Sequence, residues 1–207
     1  MPEIHSKQLL LIFTRNPEYG KVKTRLAKET GEQVALDIYR HLLEHTVSIT
    51  KGIDVQKQVF YSEAISSNDI WKNNIYEKKL QYGNGLGERM ENAFRDNFEA
   101  GYQEIIIIGS DLYDLEEQDL EQAFKELKNN DYVIGPAKDG GYYLLGMKSL
   151  NSDIFKNKKW GSNSVLQATL NDLQNNQIKL LEERNDVDVL ADIKGHPALR
   201  KFLNQSE

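Results

Sequence analysis

The sequence predicts a doubly wound α/β fold, and three observations carry that prediction. Strand-length apolar runs alternate with helix-period segments from one end of the chain to the other. Residues 105–108 are four consecutive isoleucines, the pattern of a strand covered on both faces in a parallel interior. The 207 residues fit one domain, so residues 1–207 are read as a single unit.

The elements follow in order. Lys7 to Thr14 is a compact apolar run and reads as the first buried strand. A helix follows Thr30. Thr30 and Gln33 match a capping box, and Val34, Ile38 and Leu42 recur at i+4. Asp54–Tyr61 and, more weakly, Ile75–Tyr82 read as strands. Leu86, Met90, Ala93, Phe94 and Phe98 form one apolar helix face. Glu104–Gly109 is the clearest strand, and Leu120, Ala123, Phe124 and Leu127 mark the helix after it, with Asp114 a candidate cap. Tyr132–Gly135 and Tyr142–Met147 flank a glycine-containing turn in which Asp139-Gly140 is a hairpin signal. Val165, Leu166, Thr169, Leu170 and Leu173 predict another helix, with Ser162 as its candidate cap. Ile178–Leu181 is a late strand and Pro197–Leu203 a terminal helix.

Composition removes several functional classes. The formal net charge is −6, a poor balance for a general nucleic-acid binder. The absence of cysteine excludes disulfides, thiolate zinc sites, iron–sulfur clusters and a cysteine nucleophile. The start, MPEIHSKQLLLIF, lacks the features of a signal peptide, and no apolar run is long enough for a spanning helix, so a cytoplasmic protein without membrane insertion is expected. Neither G-x-S-x-G nor H-E-x-x-H occurs. The histidines (His5, His41, His45, His196) do not follow strands, and the i, i+4 pair His41/His45 has no evident third ligand.

In a doubly wound sheet, ligands bind beyond the carboxyl ends of the strands. The first strand is followed by Arg15, Lys21, Lys23, Arg25 and Lys28 against a single Glu18, a local +4 in an acidic chain. Such a loop is either a phosphate cradle or a solvated basic helix start. The Walker spacing and G-x-G-x-x-G are absent there. Asp111 stands just past the isoleucine strand, beside Ser110, and either holds a hard divalent cation or serves as a turn residue. Gly83, Gly85 and Gly87 precede a helix whose first N–H groups favour an anion or the polar edge of a base. Asp139, Gly140 and Gly141 either form a plain hairpin or bring backbone and a carboxylate to a ligand, with Tyr142 and Tyr143 on opposite sides of the strand. Asp186, Asp188 and Asp192 lie near the last strand. Asp192 is a candidate cap, and Asp188 is either a second cation ligand or part of an acidic loop.

Together these segments resemble one family. The motifs R-x-P-x-x-G-x-x-K-T-R-L, Q-x-G-x-x-L-G-x-R-M, G-S-D, G-P-A-x-D-G-G-Y-Y-L-x-G, W-G-S and D-V-D occur in the order seen in the DUF2064 family of the GT-A glycosyltransferase/nucleotidyltransferase superfamily, from about Leu9 to Ile193. Relatives include guanylyltransferases that act on phospholactate and in molybdenum-cofactor maturation. The resemblance implies a three-layer, GT-A-like domain with a mostly parallel mixed sheet, a nucleotide or nucleotide-sugar donor, a small-molecule acceptor, and Mg²⁺ or Mn²⁺. It implies that Arg15, Lys21, Lys23 and Arg25 hold phosphates, that Gly83, Gly87 and Arg89 lie against the nucleotide, and that Asp111 and Asp188 bind the metal. It places Asp139, Gly140, Gly141 and Tyr142 on the acceptor side. Three positions depart from the pattern. Tyr113 stands where proline is frequent, Ser162 where threonine is common, and Ser110 where a D-x-D would have its first acid.

The expected chemistry is neutralisation of a departing diphosphate by a cation and by Lys/Arg groups, Lys23 among them, with Asp139 contacting or deprotonating an acceptor hydroxyl. Sugar transfer from a nucleotide-sugar is the first expectation. Nucleotidyl transfer with pyrophosphate release is the second, and a non-catalytic nucleotide-binding protein the third.

Overall fold

The computed structural model describes residues 7–203; His5 lies outside them. Seven strands form one sheet: β1 (Gln8–Thr14), β2 (Gln56–Tyr61), β3 (Glu77–Leu80), β4 (Glu104–Ile108), β5 (Tyr132–Pro136), β6 (Tyr142–Met147) and β7 (Ile178–Leu180). Their spatial order is β3-β2-β1-β4-β6-β5-β7. β1 pairs in parallel with β2 and β4, and β5 pairs in parallel with β7. β6 runs antiparallel to both neighbours. The sheet is therefore mostly parallel but mixed, as the resemblance implies. The short hairpin at Asp139-Gly140 causes the reversal, because a tight turn can only return the chain antiparallel.

The helices are α1 (Thr24–Thr30), α2 (Glu32–Thr50), α3 (Leu86–Glu99), α4 (Glu117–Asn129), α5 (Val165–Asp172), α6 (Leu190–Lys194) and α7 (Pro197–Arg200), with a 3₁₀ turn at Ser152–Phe155. Alternation along the strands splits the core in two. Leu10, Ile12, Ile106 and Ile108 pack with Tyr39 and Leu43 of α2 and with Leu120, Phe124 and Leu127 of α4. Leu9, Leu11, Ile105 and Ile107 pack with Met90 and Phe94 of α3 and with Ile154 and Phe155. All four isoleucines are buried, as their run predicts for a strand covered on both faces. The C-terminal segment folds back on the outer side of α2, where Val187, Ile193 and Leu199 meet Leu26, Ile38 and Leu42.

Several local expectations differ from the structure. Thr30 ends α1 rather than capping α2: its hydroxyl donates to the Leu26 carbonyl, and Gly31, at φ +87°, makes the break between the helices. Left-handed backbone of this kind favours glycine, and it overrides the capping-box pattern. Glu116, not Asp114, begins α4; its amide donates to the Asp119 carboxylate. Ser164 rather than Ser162 precedes α5. Leu86 starts α3 but is exposed, because only the later residues of its face meet the sheet. Tyr113 fills the space beside the C-terminal segment. His41, His45 and His196, scattered in sequence, all pack their rings against it, at centroid distances of 5.8, 4.9 and 5.6 Å.

Candidate functional site

Strand order reverses between β1 and β4, the switch point where open α/β sheets bind ligands. Both strands end on the same rim, and the loops after them meet there. Lys23, from the β1 loop, donates from Nζ to Asp111 Oδ2 at 2.9 Å and to Asp188 Oδ1 at 2.8 Å. Residues 88 and 165 positions from Lys23 in the chain thus converge on one ammonium. Arg25 lies 3.6 Å from Asp188 Oδ2. The basic loop and Asp111 share one place.

Local structure explains the convergence. Lys23 has φ +47°, in the left-handed region, which turns the chain from the loop into α1. Beneath it, the Tyr39 hydroxyl on α2 accepts from the Arg15 amide at 2.9 Å and lies 3.3 Å from Thr14 Oγ1 and 3.2 Å from Ser110 Oγ. This buried cluster of hydroxyls ties the end of β1 to the end of β4. Ser110 is buried in it, and the position two before Asp111, where a D-x-D would have its first acid, is held by Gly109 rather than by Ser110. The D-V-D segment is held from three sides. Val187 is buried and its amide donates to the Asp111 carbonyl at 3.4 Å. Asp192 accepts from the Asp188 and Val189 amides at 2.9 and 2.8 Å. Arg184 reaches the Asp114 carbonyl and, at 2.8 Å, Asp119.

The electrostatics follow from this packing. Burial alone would lower the Lys23 pKa, but Asp111 and Asp188 outweigh it and hold the ammonium above its ordinary value. The Lys23 charge holds Asp111 below the usual carboxylate range, against the opposing effect of burial. Burial, and next the charge of Asp111, push Asp186 up to about 8. The charges of Asp139 and Asp188 act on Asp186 in the same direction. Asp186 is the acid that sequence reasoning left out of the site. Its signal was present in the i, i+2 spacing of Asp186 and Asp188, which puts both on one side of an extended segment whose middle residue, Val187, is buried.

The remaining candidates divide. Arg15 is exposed at the rim. Lys21 is engaged by Glu18 at 2.6 Å and Glu63 at 3.2 Å. Arg89 turns back on its own loop, with Nε donating to the Gly83 carbonyl at 3.1 Å and NH1 to Gln81 Oε1 at 3.4 Å. A side chain at Gly87 would come within 2.5 Å of Trp160 Nε1, so this glycine makes room for the tryptophan. Tyr142 packs edge-on against Trp160, with ring centroids 6.3 Å apart, and burial raises its pKa. Asp139 is exposed in the β5–β6 turn, where Oδ1 accepts from the Gly141 amide at 2.8 Å. Gly140 has φ +85°, and a Cβ there would lie 2.3 Å from the Asn163 carbonyl oxygen.

The carboxylates of Asp111 and Asp188 suit a hard divalent cation. Both are oxygen donors already sharing one cationic group, and Mg²⁺ ordinarily takes one or two carboxylates and completes its shell with phosphate oxygens and water. Among the described residues, no group of three or more His, Asp or Glu side chains forms a preassembled metal cage. Among the same residues, no helix is long and apolar enough to cross a membrane.

Known proteins share this architecture. The chain is 28% identical to a crystal structure described as a candidate nucleotide-diphospho-sugar transferase from Desulfovibrio desulfuricans G20, over 97% of this chain and 98% of that one, with a TM-score of 0.87. It is 27% identical over 131 residues to the 2-phospho-L-lactate guanylyltransferase of Methanocaldococcus jannaschii, a match covering 63% of this chain. The match spans 56% of that relative's length. A cytidylyltransferase from Leptospira borgpetersenii serovar Hardjo-bovis shares the fold at 16% identity, over 91% of this chain and 84% of that one, with a TM-score of 0.60. A family model matches residues 46–162, and the chain belongs to that family, described as "Uncharacterized protein conserved in bacteria (DUF2064)".

Proposed function

We propose that this chain is a transferase acting on a nucleotide-activated donor with a divalent cation, and that the reaction is nucleotidyl transfer from a nucleoside triphosphate. The observation that carries the reading is the meeting of Lys23 with Asp111 and Asp188 at the β1/β4 switch point. A basic group and paired carboxylates on one rim are what a metal-bound polyphosphate requires. Asp111 has Gly109 two residues before it and Tyr113 two residues after, so no D-x-D pair follows β4, which favours nucleotidyl transfer over a D-x-D sugar transferase. Relatives described as guanylyltransferases support the same choice. This reverses the order expected from the resemblance alone.

In this reading Asp111 and Asp188 would hold Mg²⁺ or Mn²⁺, which supplies charge neutralisation on the phosphates. Arg15, Lys23 and Arg25 bind the polyphosphate, Arg by paired donors and Lys as a point charge. An acceptor oxygen attacks the α-phosphorus as its bond to the bridging oxygen breaks, and pyrophosphate leaves with the electron pair. Asp139, exposed beside the rim with one oxygen engaged by Gly141, contacts the acceptor and takes a proton where the acceptor is a hydroxyl.

Sugar transfer is the second reading, and the Desulfovibrio desulfuricans protein, similar over nearly the whole chain, favours it. Product analysis separates the two. A panel of nucleoside triphosphates and nucleotide-sugars is incubated with Mg²⁺, Mn²⁺ and candidate acceptors. Pyrophosphate is the expected product, and a free nucleoside diphosphate from a nucleotide-sugar would replace the first reading with the second. Binding without turnover across the panel would overturn both in favour of a nucleotide-binding role.

A further inference from the structure

Lys23 stands between the oxygens that a metal would need. Its Nζ bonds Asp111 Oδ2 and Asp188 Oδ1 at once. The lysine side chain is only 5% exposed, whereas the two carboxylates are 40% and 44% exposed. The ammonium is thus seated beneath the carboxylates, and its left-handed backbone fixes where its side chain starts. With Arg25 also facing Asp188, the cluster is close to electrically balanced and offers a dication little attraction.

We propose that Lys23 is a resident counter-ion that blocks the metal-binding carboxylates until donor polyphosphate draws its ammonium away. Metal and nucleotide then bind cooperatively, each raising the affinity for the other. The inference rests on the reading of Asp111 and Asp188 as the metal pair. Its physical basis is competition. An ammonium has three donors; two serve the carboxylates and the third is open to a phosphate oxygen, and a polyphosphate carries more charge than the pair and so competes for the other two. Once Lys23 turns to phosphate, the two carboxylates face each other uncompensated and recruit a cation. Linkage makes the effect reciprocal, with coupling of about 5–150-fold.

The test is Mn²⁺ binding without nucleotide, followed by the electron paramagnetic resonance signal of the free ion. Lys23→Met is expected to bind Mn²⁺ at least about tenfold more tightly than the wild type, and Asp111→Asn added to it should abolish the gain. Lys23→Gln, which keeps a polar side chain, should show the same direction if Lys23→Met folds poorly, as judged by circular dichroism. Metal-free tripolyphosphate is the second probe, and its affinity should fall about tenfold in either variant. Mn²⁺ binding that depends on Asp111 but is no tighter without Lys23 overturns the counter-ion role and leaves the metal pair standing. So does undiminished tripolyphosphate affinity. The absence of any Asp111-dependent Mn²⁺ binding in all variants overturns the metal pair itself, and this inference with it.

Discussion

Replacing Tyr39 by phenylalanine removes one oxygen from beneath the site and leaves the buried ring in place. Tyr39 is 2% exposed on α2. Its hydroxyl accepts from the Arg15 amide at 2.9 Å, donates to the Arg15 carbonyl at 3.2 Å, and lies against Ser110 Oγ and Thr14 Oγ1. Thr14 and Ser110 remain within 3.2 Å of each other in the variant, so those two hydroxyls keep a partner. The Arg15 amide does not. Its bond is part-buried, and a donor left unpaired there costs about 1–3 kcal/mol. For a chain of 207 residues each kcal/mol moves Tm by about 2–4 °C, so the expected loss is roughly 2–12 °C. Because Arg15 opens the basic loop and Ser110 precedes Asp111, nucleotide affinity should weaken as well. Differential scanning calorimetry and nucleotide titration measure the two effects. A Tm within about 1 °C of wild type, with unchanged affinity, would refute the claim that this hydroxyl fixes the rim.

Four further outcomes are expected. Burial and the 2.5 Å hydrogen bond to Asp69 raise the Tyr61 pKa above its ordinary 10.0; the stability this gives is complete below pH 10 and is lost as pH rises through the folded value, so Tyr61→Phe should flatten the alkaline limb of a Tm-versus-pH curve. Gly140→Ala should destabilise by about 1–2 kcal/mol from its left-handed backbone alone, and more from collision with Asn163, as read by urea unfolding; a neutral effect would contradict the turn geometry. Ile106→Ala, at a fully buried position in the central strand, should cost about 2–5 kcal/mol by the same assay. Asp139→Asn should lower kcat while leaving metal-dependent donor affinity within about twofold; an equal loss of donor affinity would move Asp139 from the acceptor to the donor.

Periodicity and composition made the layered fold legible, because every central strand announced itself as a continuous apolar run. What they could not convey was strand direction. β6 reads like the parallel strands of the sheet, and only the brevity of the Asp139-Gly140 turn carries its reversal. The helix starts were misplaced where backbone conformation outranked side-chain pattern, as at Gly31. Asp111, Lys23 and Asp188, which the structure brings together, stood out in the sequence because each follows a strand or lies beside one. Asp186 was missed: its i, i+2 spacing with Asp188 signalled a shared side of the segment, but not its burial or its exposure to the charge of Asp111. Tyr39 was hidden for a similar reason. Within α2 it is one more core aromatic, and its hydroxyl gains meaning only when β1 and β4 end beside it. Lys21 and Arg89 carry charge that the sequence shows and partners that it does not: Lys21 pairs with Glu18 and Glu63, and Arg89 bonds its own loop.

Asp111 and Lys23 are proposed to lie at one metal-dependent nucleotide seat. Isothermal titration of nucleoside triphosphates into wild-type protein and Asp111→Asn, with and without Mg²⁺, addresses it directly. Mg²⁺ is expected to strengthen binding to the wild type, and Asp111→Asn to lose this gain by tenfold or more, about 1.4 kcal/mol, while remaining folded. Equal Mg²⁺-dependent affinity in the two proteins would contradict it.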